Sequence, residues 1–320
     1  MRMSRAKLEG DPMSCYDVTR SWPLALVALT PLLAGCSALA SRAVGGTVKG
    51  LAASVAQDDD PELVAAAMPL GLKLLEGSLL GDPENGGLLL SACKGYTQYA
   101  QAFVNEPADA LESTDLQAAR RARQRAGRMF LRARGYCLRA LELRYAGIGA
   151  ALASAPAAAL ERTRPRDAEL LFWTGASWAA AISSLRQDLE LVADLRVGHA
   201  LLRRADDLDP SWDRGTIHET LVALEAALAP ASGGSLARAR EHFRRARELS
   251  GDRRIGPLVT FAESVSVKEQ DAAEFRRLLE EALAFDLSAA PDDRLVNTLA
   301  RRRAEWLLAR TEDLFVEVKP

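Results

Sequence analysis

Apolar positions recur three or four residues apart along most of this chain, which places them on one face of a helix. Runs that alternate apolar and polar residues, rich in Val, Ile and Thr and bounded by turns, are not found in the sequence, so strands are not expected. The spacing predicts a first helix over residues 61–80, entered through Asp60 as N-cap and Pro61 at the first helical position, with a bend at Pro69. Asp82-Pro83-Glu84-Asn85-Gly86-Gly87 breaks it. A second helix is predicted to about residue 104 and a longer one over 114–144. Residues 146–164 read as an Ala-, Gly- and Pro-containing connection with room for a short helix. Further helices are predicted over 166–184, 188–208, 212–229, 235–249, 256–267, 271–285 and 291–311.

A second period lies over the first. Ala239, Phe243, Ala246 and Gly251 have the second-helix spacing of a tetratricopeptide repeat: small, large, small, then a helix breaker. Gly198, Leu202, Ala205 and Pro210 repeat it, and Ala126, Phe130 and Ala133 match its first three positions. Small residues let one helix approach its partner, and the large one fills the gap between them. Ala205 and Ala246 are 41 residues apart, more than the roughly 34 of a regular repeat, so the units are degenerate. The expected fold class is all-α, a tetratricopeptide-like array of helical hairpins, or α-solenoid.

The N-terminal pattern is different. Arg20 precedes an apolar run over residues 22–34, shorter than the ~20 residues of a membrane-spanning helix and suited to a secretory signal. It ends in Leu33-Ala34-Gly35-Cys36, the pattern of a bacterial lipoprotein cleavage site. The expected organisation is a signal peptide over 1–35, a lipidated tether over 36–60 beginning at Cys36, a helical domain over 61–315 and a tail over 316–320. Met13 offers a second start that leaves the same mature chain. Each acyl methylene contributes about 0.8 kcal/mol, so a multi-acylated Cys36 predicts firm anchoring at a periplasmic membrane face. Ser37 after it points to the outer membrane.

Charge narrows the partners. The net charge of −2 becomes −3 once residues 1–35 leave, because Arg2, Arg5, Lys7 and Arg20 outnumber Glu9, Asp11 and Asp17 there. A near-neutral chain without a basic tail is not expected to bind nucleic acid. The Arg-rich stretches at 120–134 and 301–303 alternate with Ala and Leu at helical spacing and read as solvated, salt-bridged faces. Beyond Cys15 and Cys36, Cys93 and Cys137 sit inside helical runs in an oxidising compartment. They read as two buried small side chains, with a disulfide the alternative.

Motifs for chemistry are few. His218-Glu219 begins like a zinc-protease helix, but Val222 stands where the second histidine must be. His199, His218 and His242 therefore read as helix-surface or interface residues, with no metal expected. Neither a phosphate-binding Gly-x4-Gly-Lys loop nor a paired Cys-x2-Cys is present, so no cofactor and no catalytic residue is expected. Tyr96, Tyr99 and Phe103 lie on one helical face as core, or as the lining of a ligand groove. Trp173 and Trp178, five apart beside Phe172, pose the same choice, one expected in the core and the other open to a cleft or a neighbouring subunit.

Several longer phrases carry a resemblance. They are Ser91-Ala92-Cys93-Lys94-Gly95-Tyr96-Thr97-Gln98-Tyr99-Ala100-Gln101-Ala102-Phe103-Val104 and Leu170-Leu171-Phe172-Trp173-Thr174-Gly175-Ala176-Ser177-Trp178. Arg204-Ala205-Asp206-Asp207-Leu208-Asp209-Pro210-Ser211-Trp212 follows, with Gly215 and His218. After them come His242-Phe243-Arg244-Arg245-Ala246, Val265-Ser266-Val267-Lys268-Glu269-Gln270-Asp271, Leu295-Val296-Asn297 and Arg303-Ala304-Glu305-Trp306-Leu307-Leu308. As an ordered set over residues 60–315 they resemble the T-component (TatT) family of TRAP transporters, periplasmic lipoproteins of tetratricopeptide-like helical pairs. Cys137 departs from the small residue common there. The resemblance implies a partner protein rather than an enzyme. It implies a homotrimer that engages the solute-binding protein of a tripartite ATP-independent transporter, with a hydrophobic solute as a further ligand. A general scaffold lipoprotein for envelope assembly is the alternative.

Overall fold

Among the described residues, 50–316, this computed structural model contains helices and no strands. Cys36, with the signal peptide and lipidation predicted around it, lies outside the described residues, as do residues 317–320. Helix α1 (Pro61–Gly81) starts as its sequence predicts: the Asp60 carboxylate accepts from the Leu63 amide at 2.9 Å, and Pro69 lies inside the helix. Helix α2 (Gly86–Ala100) is capped by the Asn85 side chain. It does not stop near residue 104 but continues through a π-helical turn, Gln101–Asn105, into Glu106–Leu111. Helix α3 (Leu116–Arg144) is capped by Asp115.

The connection that follows holds two short helices, α4 (Ile148–Ser154) and α5 (Pro156–Leu160). Next come α6 (Ala168–Ser184), α7 (Leu189–Ala193) and α8 (Leu195–Leu208); the single helix predicted over 188–208 breaks at Asp194. Asp213 and Arg214, both at positive φ, turn the chain into α9 (Thr216–Ala227). Helix α10 (Leu236–Ser250) ends at Gly251, whose φ of +59° is the left-handed cap that glycine adopts without strain. Helix α11 (Gly256–Phe261) passes through a second π-helical turn, Ala262–Ser266. Helices α12 (Ala272–Ala284), α13 (Arg294–Ala309) and α14 (Thr311–Leu314) complete the chain.

Successive helices pack as neighbours: α1 on α2, α2 on α3, α3 on α6, α6 on α8, α9 on α10 and α12 on α13. The small-large-small spacing accounts for much of this. Ala126, Phe130, Ala133, Leu202, Ala205 and Ala239 are fully buried. Burying a phenylalanine such as Phe130 stabilises by about 1.5–3 kcal/mol. Gly175 of α6 meets Gly198 of α8 so closely that a Cβ on Gly175 would stand 3.0 Å from the Gly198 carbonyl. Two apolar cores result, and α9 serves both. Leu221 and Leu224 face the first, while Val222 and Ala226 face the second, which α10–α13 complete. Both cores lie within the compact unit that begins at Ala53, so that unit can fold without the preceding residues.

Two features depart from expectation. Cys93 of α2 and Cys137 of α3 are not free thiols but a disulfide, with Cα atoms 5.5 Å apart. Their spacing of 44 residues says nothing about pairing, because that depends on how two helices register face to face. The ends of the array also meet. Arg302 of α13 donates to Glu62 of α1 at 3.0 Å, and Arg303 pairs with Asp109 beyond the first π-turn. In a simple linear solenoid each unit touches only its neighbours.

Helix α1 is exposed along much of its length, including Leu63, Leu70, Leu74 and Leu80. It is long and apolar enough to cross a membrane by length and composition, yet Leu72 and Leu79 are buried in the first core.

Candidate functional site

The sequence-predicted aromatics converge on the first core. Tyr96 is buried and stacks on Tyr136 with ring centroids 6.0 Å apart. Its hydroxyl accepts from Arg132 at 3.3 Å, while the Tyr136 hydroxyl donates to Glu76 at 2.8 Å. Burial first, then the adjacent Glu76 carboxylate, pushes the Tyr136 phenol up to about 12. Tyr99 is buried against the half-buried Phe103. Trp173 (8% exposed) and Trp178 (7%) are both buried, so the expected division of one inside and one in a cleft is not seen.

What these aromatics leave over is polar. Neither indole N–H, of Trp173 or of Trp178, has a hydrogen-bond partner among the described residues. A buried donor left unmet costs about 1–3 kcal/mol. Cations cover the two rings instead: Lys94 lies 5.6 Å from the Trp173 centroid and Arg134 4.6 Å from that of Trp178.

An open groove of about 780 Å³ lies between α5, α7 and α8. Leu160, Val192, Leu195 and Leu228 line it with apolar surface, and Arg196, Arg203 and Arg204 add cations. Each guanidinium is held by its own protein. Arg196 donates to the Ala153 carbonyl at 2.8 Å, Arg204 to the Thr163 hydroxyl at 3.0 Å, and Arg203 to Glu225 at 2.8 Å. Glu225 is the hub of this corner. Its buried carboxylate also accepts from Arg238 at 2.7 Å and faces His199 at 3.4 Å. Burial raises its pKa, but Arg238 and Arg203 outweigh burial and hold it at about 2. Such a groove can hold an apolar chain or segment and present fixed positive charge at its rim.

Sequence reading missed this groove, although one signal was present. Arg196, His199, Ala200, Arg203 and Asp207 form an i, i+3, i+4, i+7, i+11 stripe on the face of α8 opposite buried Leu201, Leu202 and Ala205. It also missed two polar clusters. Beside the two π-turns, Arg303 pairs with Glu263 and with Asp109 at 2.9 Å. Burial pushes the nearby Glu106 up to about 7, against a hydrogen bond from Gln101 and the charge of Arg303. In the second cluster, His218 of α9 and His242 of α10 meet with Nδ1 atoms 2.9 Å apart, and Asp206 of α8 stands beside them. His199 lies apart, on Glu225.

Comparison with known proteins places the chain. The sequence model of the family described as "TRAP transporter T-component" matches residues 57–315, nearly all that is described here. A protein of Treponema pallidum (strain Nichols), named only as uncharacterized, is 30% identical over 265 residues, 82% of each chain.

Proposed function

We propose a role in solute uptake from a plain premise: the chain belongs to the TRAP transporter T-component family. The family is transport-associated and belongs to the cell envelope, and the match over residues 57–315 is the observation that carries this reading. In the finer reading, Cys36 is lipidated and tethers a tetratricopeptide-like array to the periplasmic face of the outer membrane. The array engages the solute-binding protein of a tripartite ATP-independent transporter and can also hold a hydrophobic solute. It performs no bond-making step of its own. The groove beside α8 supports this, because its apolar lining and fixed arginines suit a partner segment or an amphipathic anion.

The unmet indole N–H groups of Trp173 and Trp178, with Tyr96, Tyr99 and Phe103 around the same core, are the aromatics we assign to ligand or partner contact. We assign the exposed leucines of α1 (Leu70 66% exposed, Leu80 88%) to contact between copies in a homotrimer.

The test is co-elution of residues 53–320 with a TRAP solute-binding protein from the same organism. A complex that Arg203→Glu weakens at least tenfold is expected, and no complex at micromolar concentration overturns the partner assignment. Light scattering of the same fragment reads the oligomer: three times the monomer mass is expected, and a monomer overturns the trimer. Membrane fractionation of Cys36→Ala reads the anchor, with release into the soluble fraction expected.

A further inference from the structure

We propose that Asp206, His218 and His242 form a binding site for a divalent transition-metal ion, with zinc the reference case, which pins the end of α8 to α9 and α10. One ligand atom from each residue lies within 4.8 Å of the other two. The residues come from three helices, so their meeting is a property of the packing. Two ligands bound 2.0–2.1 Å from a tetrahedral ion stand roughly 3.3–3.4 Å apart. The His218 Nδ1 to Asp206 Oδ1 distance is already 3.4 Å, and the two Nδ1 atoms at 2.9 Å need to part by only a few tenths of an ångström.

Without an ion the cluster is poorly satisfied. Two neutral imidazoles whose Nδ1 atoms face each other share one proton at best, one donating and the other accepting. Asp206 Oδ1 is buried and has no hydrogen-bond partner, and neither has His218 Nε2. His218 itself is only 5% exposed. A cation bound by both Nδ1 lone pairs and the carboxylate would satisfy all three ligand atoms at once. It would also fix the tautomer of both rings, with the remaining proton on each Nε2. Two neutral imidazoles and one carboxylate carry a single negative charge, which suits a divalent ion with one further ligand such as water. Imidazole with carboxylate favours zinc, nickel or copper over magnesium or calcium. The opposing charges nearby are Arg245, which Glu248 engages at 3.0 Å, and Arg203, which Glu225 holds at 2.8 Å.

The site does not depend on the transport reading. It sits at the junction of α8, α9 and α10, next to the Asp213–Arg214 turn, where a bound ion would fix the angle between the helices of the first core and those of the second.

The experiment is calorimetric titration of untagged, chelator-stripped residues 53–320 with zinc chloride, with cobalt(II) substitution read by visible absorption. One equivalent per chain and the d–d bands of tetrahedral cobalt are expected. Asp206→Asn, which keeps the side-chain shape, and His242→Ala should each weaken binding at least tenfold while circular dichroism still reports a folded helical protein. His199→Ala should bind as the parent does. Zinc should raise the melting temperature of the parent and not that of Asp206→Asn. Absence of stoichiometric binding overturns the site, as does parental affinity in both Asp206→Asn and His242→Ala, or an equal loss in His199→Ala.

Discussion

Arg303, near the middle of the last long helix, reaches Asp109 of the second helical segment at 2.9 Å and ties together parts of the chain almost 200 residues apart. The same guanidinium engages Glu263 in the second π-turn, so one cation joins that turn to the helix that follows the first. π-turns place an extra residue in the helix and frequently mark functional positions. Arg303→Met should destabilise the fold by about 1.5–3 kcal/mol, the usual worth of hydrogen bonds to charged groups. Urea denaturation at pH 7 measures it, and an unchanged midpoint would remove the clasp from the account.

Glu106, beside that clasp, has a folded-state pKa raised to about 7, with burial the main cause. The folded chain then holds a proton between about pH 4.5 and 7 that the unfolded chain has released. Stability from this group is full below that window and is lost as pH rises through 7. Glu106→Gln should therefore be more stable than the parent at pH 8, by about 2–3 kcal/mol, and nearly equal to it at pH 4. Paired urea titrations at the two pH values check the difference.

Glu225 has the opposite sign. Burial alone would raise its pKa, yet Arg238 and Arg203 keep it at about 2, so the folded chain resists protonation below the ordinary carboxylate range. Its contribution is full above about pH 4.5 and disappears as pH falls toward 2. Because both arginines are about 45% exposed, solvent screens the pair, and Glu225→Gln should cost about 1–3 kcal/mol at neutral pH. The acid limb of the stability curve should flatten with it. An acid limb identical to the parent's would show that Glu225 titrates normally.

The Cys93–Cys137 disulfide closes a loop of about 45 residues between α2 and α3. Such a cross-link stabilises by about 2–4 kcal/mol, chiefly by restricting the unfolded chain. Reducing agent, or the double change Cys93→Ala with Cys137→Ala, should lower the melting temperature without changing helix content. Thiol titration of denatured residues 53–320 should find no free cysteine; two would mean that the bond does not form.

Gly175 is where α6 and α8 come closest. An added Cβ would stand 2.8 Å from Leu202 Cγ, 3.0 Å from the Gly198 carbonyl and 3.1 Å from Leu201 Cβ. Gly175→Ala should cost about 1–3 kcal/mol through overpacking, although alanine favours helix at an exposed site. Chemical denaturation of the variant decides between the two effects.

Much of the architecture was legible before any coordinates. Asp60 caps the helix whose start it signals, and the breaker at 82–87 separates α1 from α2. The spacing of Ala126, Phe130 and Ala133, and of Leu202 and Ala205, identified side chains that are fully buried. Such features are local: caps act within one turn, and a period of 3.6 residues sorts a helix into faces whatever lies beyond it. The ordered phrases over 60–315 likewise pointed to the family that the comparisons found. What the residues alone did not reveal depends on the rotation and register of one helix against another. The Cys93–Cys137 bond, the Glu225 hub, the Arg303 clasp and the meeting of Asp206 with His218 and His242 each join residues from separate helices. A turn more or less in any connecting loop would part those pairs and leave every helical pattern unchanged, so only the packed chain decides them.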